Sequence, residues 1–353
     1  MQIDFARRYL RCPVCRRDRT LLLAADQTNE REVREGVLTC SACGSQQPVH
    51  RGVAHLLVDP PKHVATEAAG LERFAEYMRA DGWTRDSVRQ LPAVDDGYWY
   101  VQGASINQLV TSVGFRQGQS LLDVGSNTCW ASNFFALRGL NVVALDIATA
   151  ELQGLYTSDY FIEDGTSYFE RVLGSMYDMP IASESLDYVY CCEVLHHNDN
   201  ESLRRTFEEC FRVLKPGGQV LVVNETLKTK RDPIGVHAEA VEQFEGYEHA
   251  HWAVQYRGEA VRAGFTTRLI EPSYHWFFRT PPPAEPPPLR DWHARARYEL
   301  MARPLGRRAY LMWVNHIAGG VSFGMIATKP AGRRVRTAAL VLRGPRRHAA
   351  RSG

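Results

Sequence analysis

The sequence predicts an α/β protein with a parallel sheet covered on both faces, preceded by a small cysteine-rich ribbon. Three observations carry this. Residues 121–146 read as a buried strand, a turn, an amphipathic helix and a second buried strand ending in an acid. The alternation recurs downstream in Leu186–Cys192, a helical stretch at 201–214 and an apolar run at 220–223, with short glycine turns between them. Ahead of both stand two CxxC pairs, Cys12-Pro-Val-Cys15 and Cys40-Ser-Ala-Cys43.

Composition narrows the class. A chain of 353 residues with 44% apolar and 23% charged content suits one large domain plus smaller ones. No apolar run approaches the ~18 residues of a membrane span, so a cytoplasmic protein is expected. Net charge is +2, but seven Arg and no acid lie beyond Ala331, leaving 35 Lys plus Arg against 40 Asp plus Glu, or −5, in the rest. A slightly acidic body argues against a nucleic-acid partner.

Taken in order, residues 1–58 hold the four cysteines. Two knuckles 24 residues apart, from Cys15 to Cys40 with the intervening chain as a hairpin, supply a closed set of four thiolates for a structural zinc ion. His50 and His55 are then surface or packing residues. The pattern CPVC…LTCSACG…PVxxGVxxLL resembles the short Trm112-like zinc ribbons that precede or partner methyltransferases. Pro60-Pro61 opens a linker and cap, residues 59–119, with a helix over 65–78 and another through Ile106, Leu109 and Val113. Tyr98 and Trp99 stand before the second helix, placed either to cover a ligand or to seal the core.

The turn after the first strand of the βαβ unit exposes backbone N–H groups, and Asp146, closing the next strand, is placed to accept both hydroxyls of a ribose. The strand 186–192 ends by delivering Cys192 and Glu193, candidate contacts of the same ligand, together with His196 and His197 to that rim. Here the resemblance becomes specific. LLDVGSNT…VVALDI, GSMYDMPIASESLDYVYCCEVLHH and FRVLKPGGQVLVVNE are similar to class I S-adenosylmethionine methyltransferases, in particular the UbiE-like or type 11 group. That resemblance implies a Rossmann-like sheet over 120–330, parallel with an antiparallel last strand, and S-adenosylmethionine as cofactor. It places the methionyl moiety on Asp123, Gly125 and the turn Ser126, Asn127 and Thr128, the ribose on Asp146, and the adenine on Ile147 and Met176. The acid that commonly meets the adenine amino group falls at Ser175. Where the family has its second and third glycines, this chain has Asn127 and Cys129, which leaves the backbone approach less free.

Insertions near 226–252 and 272–319 are expected to shape the acceptor pocket, and the Arg-rich tail 331–353 reads as disordered. For an acceptor that must lose a proton, the candidate bases are His196, His197, His249 and His251. The leading expectation is transfer of a methyl group to an O or N atom of a small molecule such as a sugar or secondary metabolite. The alternatives are an RNA base methyltransferase and a non-catalytic ribbon scaffold with a degenerate donor site. Oligomeric state, acceptor identity and the role of the tail stay open.

Overall fold

The computed structural model describes residues 1–163, 165–234, 248–271, 273, 285–318 and 323–332. The chain opens with helix α1 (Phe5–Tyr9) and two hairpins, β1 (Leu21–Thr28) with β2 (Val33–Cys40) and β3 (Gln46–His50) with β4 (Val53–His55). Helices α2 (Lys62–Ala80), α3 (Arg85–Arg89) and α4 (Gly97–Val113) follow. Next come β5 (Ser120–Val124), α5 (Trp130–Ala136), β6 (Asn141–Asp146), α6 (Asp159–Ile162), β7 (Glu170–Leu173), β8 (Leu186–Cys192), α7 (Asn200–Val213) and β9 (Leu214–Glu225). The last elements are α8 (Ala253–Arg262), β10 (Thr266–Leu269), α9 (Trp292–Ala302), α10 (Pro304–Trp313) and β11 (Phe323–Thr328).

Among the described residues the eleven strands share one sheet, in the order β1-β2-β3-β4-β7-β6-β5-β8-β9-β11-β10. From β4 to β9 the neighbours are parallel; β11 runs antiparallel to β9, and β10 to β11. This is an α/β Rossmann-like fold, mostly parallel, with an antiparallel end. Every residue of β5 is buried, as a central parallel strand covered on both faces requires. Its side chains alternate between two cores. Leu122 and Val124 pack with Leu203 and Phe207 of α7, whereas Leu121 packs with Ile106 and Leu109 of α4 and Phe135 of α5.

Local chemistry explains the helix ends that matter. Asp199 caps α7 by accepting from the N–H groups of Glu201 and Ser202, and Asp96 caps α4 through Tyr98 and Trp99. Residues 292–313 form two helices, because Arg303, before Pro304, is extended and the proline opens a new first turn.

The amino-terminal hairpins extend the main sheet. Strand β4 pairs in parallel with β7, Val53 opposite Arg171 and His55 opposite Leu173, and Leu21, Leu38 and Val49 join the same apolar cluster as Leu122 and Leu145. Buried charge crosses this seam. Arg171 of β7, fully buried, pairs with Glu32, while Arg34 and Arg51 each lie 2.8 Å from Asp159. Spacing of the cysteines carried no sign of this junction, since β4 and β7 lie more than a hundred residues apart.

Candidate functional site

The site lies where the sheet order reverses, at the carboxyl ends of β5, β6 and β8, the place at which open parallel sheets bind ligands. A cavity of about 440 Å³ opens there. Its floor is the turn 125–128, its sides are Asp146, Ile147, Met176, Cys192 and Glu193, and its roof comes from α2 and α4 with the Trp83 loop between them.

The turn is built on left-handed backbone at alternate positions, with φ of 67° at Gly125, 45° at Asn127 and 58° at Cys129. The missing glycines therefore leave the turn's shape intact. Asparagine tolerates this region through its short polar side chain; cysteine does so at a cost of about 1–2 kcal/mol. Local bonds hold both residues: the Asn127 N–H donates to Asp146 at 2.8 Å, its amide donates to Gln153 at 2.7 Å, and the Cys129 N–H donates to the Ser126 carbonyl at 2.7 Å.

Two buried carboxylates sit under the turn. Burial pushes Asp123 up to about 7, with the Ser132 hydroxyl, donating at 2.6 Å, opposing and the Asp146 charge adding. Burial likewise pushes Asp146 up to about 6, against the N–H groups of Asn127, Ala148 and Ile147. Both ionised forms would gain from a bound cation or hydroxyl donor.

Ten of the eleven expected donor residues line the cavity: Asp123, Gly125, Ser126, Asn127, Thr128, Asp146, Ile147, Met176, Cys192 and Glu193. Ser175 does not; it is buried, and its hydroxyl accepts from the Tyr177 N–H at 3.4 Å. The four histidines separate more sharply. His197 lines the cavity. His196 is buried with Nδ1 3.1 Å from Glu225, whose carboxylate also accepts from the N–H groups of Val194 and Leu195, so this histidine helps hold the rim loop. The His251 Nε2 donates to the Asn198 carbonyl at 2.8 Å, and the His249 N–H donates to the His196 carbonyl at 2.6 Å, so the segment carrying both is tied to that loop. Much of the first insertion, residues 235–247, and part of the second lie outside the described residues, as does the tail from 333 on.

The roof supplies residues that the sequence reading missed. Glu67 of α2, largely buried, places its carboxylate 2.6 Å from the His197 Nδ1. It stands four residues before Leu71, in register with the helix's apolar face, and an acid in that register was the available sign. Gln102 and Ser105 of α4 follow the same pattern: the Asn224 amide donates to Gln102 at 2.8 Å and the Ser105 hydroxyl donates to Asn224 at 2.8 Å, pinning the roof to β9. Tyr98 donates to Glu193 at 2.5 Å, so it does cover the cavity.

Burial pushes the His197 ring's pKa down, but the Glu67 charge, helped by Glu248 and Glu225, outweighs it and raises the value to about 9. A histidine raised in the folded state contributes stability fully below its ordinary 6.5, and that contribution is lost as pH rises through about 9. Glu67→Gln should bring His197 back toward 6.5, read from the titration of its Cε1 proton by NMR. A value still near 9 would show that Glu67 is not the cause.

The second cluster is the cysteine set. Cys12 and Cys15 lie in the turn before β1, Cys40 ends β2, and Cys43 lies in the turn to β3. Their four sulfurs lie within 4.8 Å of one another, with 3.8 Å between Cys12 and Cys43 and 3.7 Å between Cys15 and Cys40. Tetrahedral zinc with Zn–S of ~2.3 Å puts its sulfurs about 3.8 Å apart, so the donor set fits. The Ala42 N–H donates to the Cys40 sulfur at 3.4 Å, as a metal-binding knuckle requires.

Parts of the chain are similar to known proteins. Over 158 residues the chain is 28% identical to a sterol 24-C-methyltransferase of Pneumocystis carinii, covering 41% of this chain and 37% of that protein. Over 115 residues it is 32% identical to a ubiquinone biosynthesis O-methyltransferase of Pseudomonas savastanoi pv. phaseolicola, covering 33% and 47%. The chain thus spans between a third and a half of the length of these curated relatives. Among solved structures, geranyl diphosphate C-methyltransferase from Streptomyces coelicolor A3(2) is 16% identical, with 65% of this chain and 79% of that chain covered and a TM-score of 0.43. The segment that carries the β5 turn, Asp146 and the β8 rim, residues 122–222, matches the family described as "Methyltransferase domain".

Proposed function

We propose that this protein transfers a methyl group from S-adenosylmethionine to an O or N atom of a small molecule, and that the amino-terminal cysteines hold a structural zinc ion. The observation that carries the reading is the cavity at the reversal of sheet order, with an acid closing β6 and a left-handed turn closing β5. The donor supplies an electrophilic methyl on sulfonium: the acceptor's lone pair forms the new bond, the C–S electron pair stays on sulfur, and the acceptor's proton leaves to a base or to water. The chain's part is to bind and align. Gly125 to Thr128 and Asp123 hold the methionyl end, Asp146 takes the ribose hydroxyls, and Ile147 and Met176 flank the adenine. Of the four candidate histidines we assign the acceptor side to His197, since it is the one of the four that lines the cavity. The curated relatives, a sterol and a ubiquinone-pathway methyltransferase by name, support a small-molecule acceptor.

Asp146→Ala tests the donor site. Losing a charge-assisted bond to a ribose hydroxyl should weaken S-adenosylhomocysteine binding by about 1–3 kcal/mol in calorimetry. Unchanged affinity in a variant that melts like the parent would refute the assignment.

A further inference from the structure

Carboxylates dominate the walls of the cavity. Among the described residues that line it are five carboxylates, Glu67, Asp81, Asp123, Asp146 and Glu193, and no Lys or Arg. Its one basic side chain, His197, already has Glu67 beside it. Asp123 and Asp146 lie under the donor turn, which leaves Asp81 and Glu193 at the side roofed by α2 and α4. A second cleft continues outward from that side and shares Asp81, Trp83, Tyr98 and Trp99 with the cavity. It adds Asp86 and Asp96, again with no Lys or Arg.

Aromatic rings accompany these acids. Trp83 and Trp99 lie 6.4 Å apart by ring centroid, and Trp99 meets Trp130 edge to face at 6.1 Å. Indole faces beside carboxylates attract organic cations, through the negative face of the ring and through direct charge. On the side of Asp81 and Glu193 an anionic acceptor would meet like charge.

We propose that the acceptor is an organic amine that enters as its ammonium ion, seated by Glu193 and Asp81 against the indoles of Trp83 and Trp99, and gives up a proton to water, freeing its lone pair, before it takes the methyl group. This rests on the donor reading above, and it moves Glu193 from the donor side to the acceptor side. Phosphorylated and carboxylate acceptors are selected against by the same residues.

The test uses the full chain. Binding of S-adenosylhomocysteine is measured first by calorimetry; no binding there overturns the donor reading and this proposal with it. At saturating S-adenosylhomocysteine, three probes of one shape are then compared: 2-phenylethylamine, 2-phenylethanol and phenylacetate. The amine should bind tighter than the alcohol and about tenfold or more tighter than the carboxylate. The double variant Asp81→Asn, Glu193→Gln should bring amine and alcohol to near equality. Asp81→Asn alone, at an exposed helix end, should narrow the difference in part and serves if the double variant does not fold. If S-adenosylhomocysteine binds but the amine binds no tighter than the alcohol, the amine reading falls while the donor reading stands. A preference that persists undiminished in the double variant would equally remove Glu193 and Asp81 as its seat.

Discussion

Cys40→Ser should bind no zinc, where the parent chain is expected to carry one ion, and should melt far below the parent. Cys40 is buried at the end of β2, and a hydroxyl in its place leaves three thiolates around a metal that needs four. Binding free energy at such sites, about 10–16 kcal/mol in isolated zinc fingers, is also folding free energy, and it rivals the ~5–15 kcal/mol stability of a whole domain. The effect should reach beyond the ribbon, because β4 is hydrogen-bonded to β7 and Glu32 neutralises the buried Arg171. Loosening the hairpins would expose the β7 edge and leave Arg171 with Asp159, 3.7 Å away, in place of its closer partner Glu32. Metal analysis by mass spectrometry and a thermal melt read both parts. A variant that retains a full equivalent of zinc would count heavily against the four-cysteine assignment, and one that loses the metal with an unchanged melt would show the ribbon to be energetically separate.

Gly125→Ala should cost about 2–5 kcal/mol in stability and lower S-adenosylhomocysteine affinity by at least about tenfold. Two effects add. A φ of 67° costs a residue with a Cβ about 1–2 kcal/mol, and a Cβ built there lies 2.4 Å from Cγ2 of Val194, so the turn or the rim must shift at an overpacking cost of about 1–3 kcal/mol. Val194 has little freedom to give way, since its N–H is bonded to the buried Glu225 and its side chain is β-branched. The shift would be passed to Asn127, which donates to Asp146, so both ends of the proposed donor site would be disturbed together. Chemical denaturation and calorimetry measure the two effects. A Gly125→Ala protein with parental stability would mean that the turn is softer than its contacts imply; parental affinity would place the donor elsewhere.

By itself the sequence determined whatever is written in local pattern. The βαβ unit, the acid at the end of β6, the rim residues after β8 and the paired knuckles are each specified within a few residues by apolar periodicity, turn chemistry or ligand spacing. Those signals carried the fold class and the place of Asp146, while the other residues expected to hold the donor came from the family resemblance; ten of the eleven line the cavity. Tertiary structure decided what depends on segments that meet only after folding. Four histidines near the rim looked equivalent in the chain, yet three are tied within or to the loop after β8 and one faces the cavity, because Glu225 and Asn198 take up the bonding of His196 and His251. Glu67, Asp81 and Gln102, on helices preceding the βαβ unit, became walls of the site only through the packing of α2 and α4 over it. The amino-terminal hairpins joined the sheet through the edge of β7, and Arg171, an unremarkable residue in the sequence, became the buried charge at that junction. Periodicity specifies which face of an element is buried; what it is buried against is set by strand order, which no short stretch of chain encodes.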